Sequence, residues 1–113
     1  MRFSVTLAAV TAAATLLIAP AAKAQLGYAL YMQWDDTDLR LETCKDHAEE
    51  ALREARFTED VTRTDNSVYA RHSGGYTAGL RCVEPKKMIF FVISGPKGNI
   101  ASRYLDDIVK GFR

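Results

Sequence analysis

Residues 86–112 read KKMIFFVISGPKGNIASRYLDDIVKGF, and the fold follows from how this stretch is divided. From Met88 to Ser94 nearly every position is apolar, without the polar alternation of a strand that has one face in water. The run predicts a strand in the middle of a sheet, covered on both faces. Gly95, Pro96 and Gly98 then end it, because proline removes a backbone donor and glycine admits turn geometries that other residues avoid. Asn99 is the expected N-cap of a helix. Beyond it Ile100, Tyr104, Ile108 and Phe112 recur every four residues, flanked by Ala101, Leu105 and Val109, which makes one apolar stripe to lay on the sheet.

Upstream, residues 28–34 (YALYMQW) alternate Tyr28, Leu30, Met32 and Trp34 with Ala29, Tyr31 and Gln33, the period of a strand. Asp35, Asp36, Thr37 and Asp38 are expected to stop it and to cap a helix over residues 39–56. In that helix Leu41, Cys44, Ala48, Ala51, Leu52 and Ala55 form the apolar side, and the charged residues, Lys45 among them, form the solvated one. Three further strands are predicted over residues 60–64, 67–72 and 76–83, joined by Asp65-Asn66 and by Ser73-Gly74-Gly75.

The resulting order is β-α-β-β-β-β-α, an α+β fold with a single antiparallel sheet of four or five strands and two helices on one face. A simple meander would leave the most apolar strand on an edge, where unpaired backbone invites aggregation. Pairing the first strand beside it gives the spatial order 2-3-4-5-1, with every neighbouring pair antiparallel. That arrangement carries Cys44 and Cys82 to the same end of the sheet, as a disulfide requires.

The first 24 residues read as a secretory leader: Arg2, an uncharged run from Phe3 to Ala22, and Ala22-Lys23-Ala24 before the expected cut. An uncleaved anchor is the rival, since the uncharged run is nearly long enough to span a bilayer. Residues 25–113 then form one small α+β domain. Loss of Arg2 and Lys23 leaves 13 basic against 14 acidic side chains, a net charge of −1. So balanced a charge argues against nucleic acid as a partner and, after leader removal, against a membrane. The chain is expected to be exported, periplasmic or extracellular, where Cys44 and Cys82 pair. The pattern resembles that of small exported α+β proteins with one helix-to-sheet disulfide, a likeness of architecture that carries over no functional residue.

No motif identifies a reaction or a cofactor. Asp35, Asp36 and Asp38 lack the spacing of a calcium loop, His47 and His72 are expected at opposite ends of the sheet, and no metal site is predicted. Ser73 follows His72, but neighbours on a strand do not face each other, so no catalytic residue is assigned. Two binding sites remain. The sheet face away from the helices is expected to show Tyr31, Gln33, Tyr69, Arg71 and Arg81 around an apolar centre, a surface for an unknown protein partner or a homodimer. The alternative is a small-anion site where the two glycine loops meet, using Gly75, Lys97, Gly98, Asn99 and Arg103 at the start of the last helix.

Overall fold

The computed structural model describes residues 28–113, so the leader expected over residues 1–24 lies outside the described residues. The elements are β1 (Ala29–Asp36), α1 (Leu41–Glu54), β2 (Glu59–Arg63), β3 (Ser67–His72), β4 (Tyr76–Val83), β5 (Met88–Gly95) and α2 (Gly98–Phe112). A 3-10 turn at Glu84–Lys86 separates β4 from β5. The five strands form one sheet in the order β1-β5-β4-β3-β2, antiparallel throughout, as the strand patterns predict.

Both helices pack on one face of this sheet. There Val68 and Ala70 of β3, Ala78, Leu80 and Cys82 of β4, and Ile89, Phe91 and Ile93 of β5 meet Cys44, Ala48, Ala51 and Leu52 of α1 and Ala101, Leu105, Ile108 and Val109 of α2. Each large apolar side chain removed from water here contributes about 1.5–3 kcal/mol. The alanines of α1 let it approach the sheet and α2 closely. On β5 the burial alternates: Ile89, Phe91, Ile93 and Gly95 are buried, while Met88, Phe90, Val92 and Ser94 are half-buried. The expectation of cover on both faces is therefore corrected, because among the described residues helices cover one face only.

The disulfide joins Cys44 in the first turn of α1 to Cys82 near the end of β4, with the Cα atoms 6.2 Å apart. It ties the helix layer to the sheet at the end where β1 finishes. His47 packs edge-on against Phe112 at that end, and His72 sits among Phe57, Tyr76 and Tyr104 at the other.

Several local details differ from the sequence reading. β1 continues through Asp35 and Asp36, because the β5 pairing extends along it: Asp36 lies opposite Met88, and the Thr37 N–H then bonds the Lys87 carbonyl at 2.9 Å. The aspartates do not cap α1. Its N-terminal N–H of Leu41 is taken instead by the Glu84 carboxylate at 3.0 Å. Lys45, expected in solvent, is buried, donating to the Thr64 carbonyl at 3.1 Å and pairing with Glu42 at 2.8 Å. α1 ends in a Schellman motif in which Phe57 N–H bonds the Leu52 carbonyl and Arg56 N–H bonds that of Arg53. Arg56 takes the left-handed conformation at φ 71°, and the turn drives Phe57 into the core.

Candidate functional site

The face of the sheet without helices carries the strongest feature of the molecule. Strand register arranges its side chains in rows that cross the sheet. One row runs Tyr69, Gly79, Val92, Met32; the next runs Arg81, Phe90, Trp34; a third runs Arg71, Thr77, Ser94, Leu30. Leu30, Met32 and Trp34 are 65%, 67% and 57% exposed, high values for large apolar side chains on one strand. Together with Phe90 and Val92 they form a continuous apolar band flanked by Tyr69 and two arginines.

A shallow groove of about 350 Å³ lies across the middle of this band, lined by Met32, Tyr69, Gly79, Arg81, Phe90 and Val92. Its floor depends on Gly79. A Cβ there would lie 2.6 Å from Cδ1 of Tyr69, so the tyrosine ring lies directly over the glycine backbone. Arg71 reaches Asp60 of β2 at 3.3 Å, whereas Arg81 forms no ion pair among the described residues.

The two edges of the sheet differ. β2 carries Glu59, Asp60 and Arg63 and is broken by a bulge between Glu59 and Thr62, where Asp60 has φ 51°. Arg63 is also held by Asp46 and Glu49 of α1, at 3.0 and 3.1 Å. Charge, bulge and irregular backbone are the devices that blunt an edge. β1 has none of these over Ala29 to Trp34, and its register against β5 is uninterrupted. The Thr37 N–H bond to Lys87 fixes the parity of that ladder. Odd-numbered residues of β1 direct their N–H and C=O toward β5, so Leu30, Met32 and Trp34 direct theirs to the open edge. At the end of the strand the Asp35 carboxylate accepts from Arg113 at 2.8 and 3.0 Å and from the Asp36 N–H, which hold its pKa below the ordinary value of 3.8.

Of the residues expected on the open face, Tyr69, Arg71 and Arg81 lie there. Tyr31 and Gln33 do not, which corrects their assignment to this surface: they share the parity of Ala29 and Asp35 and point to the helix side. Tyr31 stands beside the start of α2, its hydroxyl 2.9 Å from where a Cβ on Gly98 would be. Leu30, Met32 and Trp34 take their place. The period-two pattern had already put these three on one side of the strand, but the pattern is silent on which side meets the helices.

The anion-site residues are brought to one end, as expected from the topology. Gly75, at φ 90°, packs near Pro96, with 3.9 Å between a built Cβ and the proline ring. α2 begins two residues earlier than predicted, however. Lys97 is the N-cap and makes no side-chain cap bond, Gly98 is the first helical residue, and Asn99 lies inside the first turn instead of capping it. Arg103 is exposed one turn further on. Among the described residues no three His, Cys, Asp or Glu side chains converge as metal ligands, and no helix is long and apolar enough to cross a membrane. No protein-family model matches the chain, and no curated protein matches it in sequence.

Proposed function

We propose that this chain is an exported binding domain that engages a protein partner through the open face of its sheet. The observation that carries the reading is the uncovered band of Leu30, Met32, Trp34, Phe90 and Val92 beside Tyr69 and Arg81. Apolar surface of this extent on a small domain is costly to leave in water and marks an interaction site. An aromatic and aliphatic centre bordered by tyrosine and arginine is also the composition of binding surfaces. Export is supported by the leader-like start of the sequence and by the buried disulfide, a bond that persists in oxidising compartments. The anion reading has less support, since Lys97 at the N-cap of α2 makes no side-chain cap bond and Asn99 lies inside the first turn.

The test is photo-crosslinking in the producing cell, with a benzophenone amino acid placed at Trp34 or, as control, at exposed Asp106 on α2. The expected result is a discrete covalent adduct from position 34 and none from position 106. No adduct from position 34, or the same products from both positions, would overturn the reading.

A further inference from the structure

We propose that the partner on this edge is a second copy of the chain, with β1 pairing antiparallel to β1 about a twofold axis at Met32 to make one continuous ten-stranded sheet. The inference rests on the proposed function and names the occupant of part of its surface.

Backbone geometry limits the choices. Residues opposite each other in an antiparallel ladder share a face and a bonding parity, so Leu30, Met32 and Trp34 must oppose even-numbered residues of the second strand. Two symmetric registers keep most of β1 paired. With the axis at Gln33, Leu30 would face Asp36 of the second copy, an apolar group against a carboxylate. With the axis at Met32, Leu30 faces Trp34, Met32 faces Met32, and Tyr28 faces Asp36. The second register brings the apolar side chains together on the open face and forms about six backbone hydrogen bonds from the outward-directed groups of Leu30, Met32 and Trp34.

Charge selects the same arrangement. The strand's acidic residues, Asp35 and Asp36, are confined to one end, and no basic residue lies within β1. Parallel pairing would stack these carboxylates against their equivalents. Antiparallel pairing about Met32 separates the two copies of Asp36 by about 27 Å at 3.4 Å per residue, well beyond the screening length of about 8 Å at physiological salt. The opposite edge, β2, is bulged and charged and offers no comparable template. The two open faces then become one surface, in which the apolar bands run on across the axis.

Sedimentation equilibrium and amide hydrogen exchange of the purified protein test this together. The expected result is a concentration-dependent monomer–dimer equilibrium in which the Leu30, Met32 and Trp34 amides slow as dimer forms. The Tyr31 and Gln33 amides, bonded to β5, are slow throughout and serve as controls. Met32→Lys places two like charges on the axis at a position 67% exposed in the monomer. It should weaken the dimer at least about tenfold while leaving the disulfide and circular dichroism unchanged. A monomer at every concentration up to about 1 mM overturns self-pairing, and so does a dimer whose Leu30, Met32 and Trp34 amides exchange as fast as in the monomer. If the crosslinker at position 34 captures another protein while sedimentation shows a monomer, self-pairing fails and the open-face reading stands. If it captures nothing, both fail.

Discussion

Glu84 caps a helix that begins 43 residues before it: its Oε2 accepts the Leu41 N–H at 3.0 Å. The 3-10 turn after β4 therefore supplies the oxygen that a local Ser, Thr, Asp or Asn would normally provide, while Arg40 at the N-cap position makes no side-chain bond. The same end of the molecule holds the disulfide, so two links of different kinds fix α1 to the sheet within one helical turn.

Glu84→Ala should cost about 1 kcal/mol, the usual worth of a cap, and Glu84→Gln should cost less because the amide oxygen still accepts. The difference is read from urea midpoints at constant slope. Equal midpoints for wild type and Glu84→Ala would show that the bond contributes nothing.

The disulfide closes a loop with a sequence separation of 38 and constrains the unfolded chain accordingly. In the chain-entropy account this is worth about 4 kcal/mol, a large part of the stability of a domain this small. The Cys44→Ala, Cys82→Ala double variant should unfold at a much lower urea concentration, or be unfolded at 37 °C. A midpoint within experimental error of wild type would contradict this.

Two glycines lie under tyrosine rings with different freedom to move. A Cβ on Gly95 would run into the ring of Tyr76, which is buried among the core side chains, whereas a Cβ on Gly79 meets Tyr69, which is 41% exposed. Gly95→Ala should therefore cost about 2–3 kcal/mol through overpacking. Gly79→Ala should cost about 1 kcal/mol or less, because Tyr69 can swing outward, and it should reshape the groove. Thermal denaturation of the two variants separates them, and equal losses would refute the distinction.

Asp35 reports on the contact between β1 and the end of α2. Arg113 donates to its carboxylate and the Asp36 N–H adds a second bond, so its pKa lies below the ordinary 3.8. A carboxyl with a depressed native pKa stabilises the fold above its unfolded pKa and loses that contribution as pH falls through the native one. Carboxyl NMR titration should find Asp35 still ionised below pH 3.8. Arg113→Ala should raise its midpoint toward the ordinary value, and an unchanged midpoint would show that the pair does not form in solution.

Much of the architecture was legible because the repeats in the sequence are local. The run of residues 88–94, the four-residue recurrence from Ile100 to Phe112 and the alternation in residues 67–72 each report their own element. The strand order followed from the need to keep β5 off an edge, and the meeting of Cys44 with Cys82 followed from that order. Lys45 and Glu84 were not legible. One is a lysine among charged neighbours and the other a turn glutamate, and each acquires its role from a group distant along the chain, the Thr64 carbonyl and the Leu41 N–H. Phe57 was missed because its burial depends on a left-handed Arg56, a conformation that arginine composition does not announce.

Sequence alone determined that Leu30, Met32 and Trp34 share one side of a strand and Ala29, Tyr31 and Gln33 the other, since alternation is a property of the extended backbone itself. Tertiary structure decided which side faces the helices. Pairing with β5 ties the odd-numbered residues of β1 to the face of Ile89, Phe91 and Ile93, and α2 approaches Ala29 and Tyr31 closely at Gly98. The large apolar residues of β1 are therefore turned outward, and the surface available to a partner is the one that residue-by-residue hydrophobicity would have buried.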